Sequence, residues 1–265
     1  MSEAFRLSYG PWAVVAGASD GTGEAFAEEL ARRGVNVVLV ARRGALLEDI
    51  ATRLDVDTRV VVLDLSAEDA GAALAAATAD LEVGLFVYNA GADSRSLLLV
   101  DQSIDDLQAL VRRNCNTVLH GAHHFGRQMV SRGRGGMVLV SSFAGWAGSA
   151  HIATYCATKA FDTVLAEALW AEWKDHGVDV LGLVLGATDT PSLRRLMDEH
   201  GGDLGELADP ADVALAGLDH LRDGPTWSFG LPEPTGPTPL GTLSRRQAVE
   251  LLSQGAAAMY GEQGT

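Results

Sequence analysis

A tyrosine and a lysine stand four residues apart in the stretch YCATK, residues 155–159. On a helix this spacing puts Tyr155 and Lys159 on one face. An isolated tyrosine titrates near pH ~10, too high for proton transfer at neutral pH. Lowering that value by about three units takes ~4 kcal/mol. One cation at ~4 Å supplies about that much at an effective dielectric of ~20. The pair therefore has the chemistry of an acid–base tyrosine poised by an ammonium. YxxxK alone also arises by chance on many helices, so its neighbours decide. Ser142 lies 13 residues upstream, at the end of the apolar run in VLVSSFAG, and adds a hydroxyl.

A second group of residues has the chemistry of phosphate binding. The stretch AGASDGTGEAFAEEL, residues 16–30, carries Gly17, Gly21 and Gly23 in GxxxGxG spacing. Glycine lets a pyrophosphate approach the main chain. A helix N-terminus following such a turn offers free N–H groups and partial positive charge. A glycine turn can be purely structural; its place between the first strand and first helix favours a dinucleotide. The next strand ends VLVARR. An acid there reads a ribose hydroxyl, whereas an arginine accepts the extra phosphate of NADP. Ala41 stands at the expected acid position, and Arg42 and Arg43 follow. The reading is NADP(H) in preference to NAD(H), with NAD(H) still open; Asp20 in the glycine loop argues weakly the other way.

These residues need a frame to hold them. Short, β-branched, polar-poor runs at 12–16, 35–41, 58–63, 83–88, 136–141 and 178–185 predict strands buried on both faces of a parallel sheet. Helical patterns lie near 22–33, 44–54, 66–80, 103–131 and 154–175. The alternation predicts an α/β fold, a Rossmann-type doubly wound parallel sheet. Residues 1–265 are read as one domain, with a core of about 10–225 and a C-terminal extension over 226–265. Five of the eight prolines fall in 225–239, which marks a loop. Ser244 and Gln247 then give a capping-box pattern before an apolar run, which predicts a short helix.

Composition bounds the function. The chain has 265 residues, 47% hydrophobic and 21% charged, enough for a large core. The formal net charge of −15 opposes nonspecific binding to nucleic acid or anionic membranes. No apolar run reaches the roughly 18–20 residues of a membrane span, and no secretory signal pattern opens the chain. Two cysteines without a CxxC motif, Cys115 and Cys156, supply neither a disulfide framework nor a zinc knuckle. The expectation is a soluble cytoplasmic protein that takes a small-molecule substrate.

Taken together, the glycine loop, YNAG at 88–91, Ser142, YxxxK and LGATDT at 185–190 resemble the short-chain dehydrogenases/reductases, in the branch of about 250 residues. The resemblance covers roughly 10–225. It implies interconversion of a ketone and a secondary alcohol with NADP(H). It implies that Tyr155 is the general acid/base, that Ser142 hydrogen-bonds the substrate oxygen and that Lys159 holds the nicotinamide ribose. Asn114 keeps its helix kinked and retains a water in the proton relay. The cofactor would meet Gly17, Ser19, Asp20, Gly21, Thr22 and Gly23 in the glycine loop. Arg42, Arg43, Asp64 and Leu65 would flank its adenosine end. Asn89, Ala90 and Gly91 lie further along it, with Gly186, Thr188 and Thr190 by the carboxamide. Three positions depart from the family pattern: Ala16 for threonine, Tyr88 for asparagine and Leu185 for proline. None of them touches the reacting atoms.

The stretches around 17–43 and 155–173 look most like members acting on 3-oxoacyl thioesters or hydroxysteroids. Trp146 and His151, between Ser142 and Tyr155, are candidate substrate contacts or simple loop packing. His120, His123 and His124 share one helix at i, i+3, i+4 spacing but are read as surface or interface residues, with no metal. The family pairs the helices at 103–131 and 154–175 across a two-fold axis. These helices carry apolar or small residues on more than one face, Val118, Ala122, Phe125, Phe161, Val164, Ala168 and Trp170 among them. The sheet can bury only one face of each, and the remaining apolar surface is expected to make a homo-oligomer, a tetramer rather than a dimer. Two other readings remain on the same fold: a nucleotide-sensing scaffold that has lost catalysis, and a non-redox dehydratase or epimerase.

Overall fold

In chain order the elements are α1 (Ser2–Tyr9), β1 (Trp12–Ala16), α2 (Gly21–Arg32), β2 (Asn36–Ala41), α3 (Gly44–Arg53), β3 (Thr58–Val62), α4 (Ala70–Ala77) and β4 (Val83–Tyr88). They continue as α5 (Ile104–Val111), α6 (Thr117–Arg132), β5 (Gly135–Ser142), α7 (Ala153–Trp173), β6 (Val178–Leu185), α8 (Pro191–His200), α9 (Pro210–Asp219) and β7 (Thr226–Phe229). This is a computed structural model; it describes residues 2–91, 97–146, 148–200 and 206–229, with 244, 246 and 247. The seven strands form one sheet in the order β3-β2-β1-β4-β5-β6-β7. Every neighbouring pair is parallel.

The sheet is buried on both faces because its strands alternate between two cores. Val15, Val37 and Leu39 pack with Phe26 and Leu30 of α2, Leu47 and Ile50 of α3, and Val213 and Leu218 of α9. Val14, Val38 and Val40 pack with Leu74 of α4, Val118 and Phe125 of α6, and Leu169 and Trp170 of α7. With apolar side chains on both sides, polar alternation would leave unpaired groups inside, which explains the near-continuous hydrophobic strands.

The strand order reverses direction of growth between β1 and β4, so a crevice opens beyond their C-terminal ends. The glycine loop, Asn89 and Ser142 all lie at C-terminal ends of strands.

Six strands were legible from the sequence; β7 was not, and neither were α1, α8 and α9. The helix expected over 103–131 is interrupted. Arg112–Asn116 is a π-helical turn between α5 and α6. The apolar residues of α6 and α7 divide between core and surface. Val118, Ala122, Phe125 and Trp170 are buried within the chain's own core. The large apolar residues exposed on these helices are Leu119 at 51% and Val164 at 56%, and Ala168 is exposed as well, while Phe161 is partly buried. The capping box does form: Gln247 N–H donates to Ser244 Oγ at 3.3 Å, and Ser244 N–H to Gln247 Oε1 at 2.9 Å. The rest of that expected helix, and the proline-rich segment after Phe229, lie outside the described residues. No helix among the described residues is long and apolar enough to cross a membrane.

Candidate active site

The glycine loop is wedged between three strands. Gly17 N–H and Ala18 N–H donate to Val40 O at 2.8 and 3.2 Å, and Asn89 N–H and Ala90 N–H donate to Ala16 O at 2.9 Å each. Asn89 Nδ2 closes the other side with a 3.2 Å bond to Gly17 O. Gly23, in the first turn of α2, packs so closely that a Cβ would lie 1.9 Å from Gly17 O. No other residue fits there without moving the loop. The turn therefore delivers bare backbone to the N-terminus of α2, where the first N–H groups have no helical acceptor. Thr190 leans over the same loop: its Cγ2 lies 2.8 Å from where a side chain on Gly21 would begin. Thr188 is buried and bridges Ala208, and its hydroxyl donates to Gly186 O at 3.4 Å. The segment 186–190 and the glycine loop thus wall one crevice.

The two arginines after β2 do different things. Arg43 Nη2 donates to Ser19 Oγ at 2.7 Å and to Asp20 Oδ2 at 2.6 Å. Arg42 is exposed, and its charge bears on Asp64. Burial works to raise the Asp64 pKa, but the two hydrogen bonds from Ser66 and the charges of Arg42 and Arg113 hold it below the usual carboxylate range. Leu65 is buried, and its carbonyl accepts from Thr117 Oγ1 at 2.9 Å. The expectation for Ala41 is corrected. Its side chain is only 6% exposed and belongs to the core cluster containing Leu47 and Ile50. Arg42 is the first exposed side chain beyond the strand.

The catalytic candidates sit on β5, α7 and the π-helical turn. Ser142 ends β5, and its Oγ accepts from Ala144 N–H at 3.2 Å. The short turn Phe143–Trp146 then packs on the backbone of α7: a Cβ on Gly145 would lie 2.7 Å from the Lys159 carbonyl carbon. Ser141 Oγ pins the same place with a 2.7 Å bond to Lys159 O. These contacts fix where α7 presents Tyr155, which is partly buried. Lys159 Nζ lies 6.0 Å from the Tyr155 ring centroid and also borders Gly91. Asn114 is completely buried in the π-helical turn; its Nδ2 donates to Thr158 Oγ1 at 2.9 Å and to Gly91 O at 3.2 Å. Asn114, Lys159 and Gly91 therefore meet at one point.

Two residues of the site escaped the reading of the sequence. Thr158 is the anchor of Asn114. Asp162 is buried one turn after Lys159 and bonds its ammonium at 3.0 Å. The available signal was a lone acid within the apolar stretch KAFDTVL. Of the candidate substrate contacts, Trp146 is partly buried, packs edge-on to Phe143 at 4.6 Å and keeps a buried Nε1 without a hydrogen-bond partner. His151 is exposed, with a left-handed backbone φ of 69°. Tyr88, at the family's asparagine position, is fully buried and donates to Arg113 O at 2.5 Å. It braces the π-helical turn from beneath. Among the described residues no group of three or more His, Cys, Asp or Glu is placed to hold a metal.

The family description "short chain dehydrogenase" matches residues 11–201. A 7beta-hydroxysteroid dehydrogenase of Clostridium sardiniense is 33% identical over 231 residues, covering 85% of this chain and 88% of that one. A very-long-chain 3-oxoacyl-CoA reductase of Podospora anserina is 35% identical over 179 residues, covering 64% of this chain and 53% of that one. Among solved structures, a short-chain dehydrogenase from Sphingobium yanoikuyae in complex with NADPH superposes with a TM-score of 0.78 at 27% identity, covering 96% of this chain and 98% of that one.

Proposed function

Because the chain belongs to the short-chain dehydrogenase family, we propose that it is an NADP(H)-dependent oxidoreductase interconverting a bulky ketone and its secondary alcohol. The observation that carries this reading is the convergence of Asn114, Lys159 and Tyr155 beside the glycine-loop crevice. The residues present fit a dinucleotide. Close-packed Gly23 clears the backbone for a pyrophosphate, and Ser19, Arg42 and Arg43 offer a hydroxyl and two guanidiniums to a ribose phosphate. Bound NADP(H) supplies or accepts the hydride.

The chain's own residues do the rest. Ser142 Oγ donates a hydrogen bond to the carbonyl oxygen and stabilises the charge that grows there during reduction. Tyr155 delivers a proton to that oxygen, and takes it back in oxidation. Lys159 favours the phenolate left behind, and Asn114 holds the π-helical turn so that the proton can be replaced from the cleft.

A steroid-like ketone or a 3-oxoacyl thioester is the substrate class. Phe143, directly after Ser142, is half exposed and stacks edge-on with Trp146, which supports an apolar substrate wall. The hydroxysteroid dehydrogenase and oxoacyl reductase relatives point the same way. The test is a panel of such ketones followed by NADPH absorbance, with NADH alongside. Turnover of at least one bulky ketone with NADPH is expected; NADPH binding without turnover across the panel would favour the sensing reading, and products lacking net redox change a dehydratase or epimerase.

The same reading includes a homo-oligomer. Exposed Leu119 and Val164 on α6 and α7 support a two-fold apolar face. Light scattering at low micromolar concentration should give a mass of at least two chains; a single-chain mass rejects it.

A further inference from the structure

Lys159 is not a lone cation. Its Nζ donates to Val140 O at 2.8 Å and to Asp162 Oδ2 at 3.0 Å. The two side chains are 4% and 1% exposed, so the pair is out of water. The second carboxylate oxygen, Asp162 Oδ1, is buried without a hydrogen-bond partner. A surface carboxylate would share its charge with solvent; this one directs it at the lysine. An ammonium beside a carboxylate presents its surroundings with a dipole in place of a unit charge, and the field of a dipole falls off faster. The Tyr155 ring lies 6.0 Å from the same ammonium, within reach of that difference.

We propose that Asp162 is an electrostatic positioning residue, which pins the Lys159 ammonium against β5 and offsets part of its pull on the Tyr155 proton. The tyrosine then keeps its proton for delivery to a carbonyl oxygen, which suits a reductase at neutral pH. The proposal rests on Tyr155 and Lys159 acting as the acid–base pair described above.

The groups around Asp162 leave it this role. Lys159 faces it from its own helix, Tyr88 from β4, and Cys115 from the π-helical turn. Burial raises the Tyr88 pKa far above neutral, and burial with the Asp162 charge pushes Cys115 up to about 11. Arg113, beside Tyr88, donates from Nε to Asn114 Oδ1 at 3.2 Å and stays cationic. Burial lifts Asp162 itself to about 6, and the Lys159 ammonium at 3.0 Å works against that lift, favouring the carboxylate.

The experiment uses the full-length protein. Tyrosinate formation is followed by ultraviolet difference absorbance during a pH titration. Of the four tyrosines, subtraction of the Tyr155→Phe titration isolates the one of interest. Asp162→Asn keeps the volume and removes the charge. The isolated step is expected to move down by about one pH unit, and the rise of alcohol oxidation with pH should move with it. A purely structural role would lower activity or thermal stability and leave the step in place. An unmoved step in folded Asp162→Asn overturns the proposal. Asp162→Leu, which has similar volume and no charge, is the second variant and should move the step the same way. If neither variant folds, Asp162 serves stability alone and the proposal is wrong. The absorbance titration needs no turnover. Absence of activity on every ketone would therefore count against the enzyme reading, while the position of the tyrosinate step would still judge Asp162.

Discussion

Two ion pairs of similar geometry in the candidate site differ in their surroundings. Arg43 meets Asp20 at 2.6 Å with side chains 47% and 28% exposed. Lys159 meets Asp162 at 3.0 Å in a nearly dry pocket. Water screens the first pair and can replace either partner at little cost, so it contributes little to stability. Arg43 can leave Asp20 for a phosphate. The second pair has no such exchange available, because parting it would strand a charge in the interior. Under the proposed function, the cofactor end is then an adjustable recognition surface, and the catalytic end a fixed ion pair. Substitutions at the first should change which ligand is used, and substitutions at the second whether chemistry proceeds.

The largest expected effect lies at the fixed end. Tyr155→Phe removes the transferable proton and little volume. Turnover should fall by roughly 10²-fold or more, while fluorescence titration shows NADPH binding retained. Near-wild-type turnover would end the distinction between the two regions. The smaller effect lies at the adjustable end. Arg42→Asp places an acid where a 2′-phosphate would sit and a ribose hydroxyl could accept it. A charge-assisted contact is worth roughly 1.5–3 kcal/mol, or about 10- to 150-fold in affinity. The ratio of kcat/KM for NADPH over NADH should fall by that factor, with the pH at which oxidation rises unchanged. A wild type that already uses NADH better than NADPH would overturn the assignment of the arginines.

Which of these features could be read from the chain alone follows from how local each one is. The core strands announce themselves because residues such as Val37–Val40 are buried from both sides and have no polar alternative. YxxxK and the glycine loop are legible because a helix turn and a tight turn fix the spacing of their own residues. The short strand β7 carries no such signal: its four residues, TWSF, become a strand only by lying beside Gly182–Leu185. The break between α5 and α6 is equally silent in the residue pattern; only the family resemblance, through Asn114, expects a kink there. RRNCN would continue a helix in isolation, and becomes a π-helical turn where Thr158, Gly91 and Tyr88 hold it.

The sequence by itself determined the parallel sheet, and it nominated Tyr155 and Lys159 as a candidate acid–base pair, since periodicity and spacing act over a few residues. Only the tertiary structure decided the environments of the charges. Arg43, not Arg42, bonds the glycine loop; Ala41 faces the core. The partner of Lys159 is Asp162, an acid whose one mark on paper is its place in the apolar stretch KAFDTVL. The physical reason is that the effect of a charge depends on what replaces its water, and that is settled by β4, β5 and the π-helical turn closing over α7.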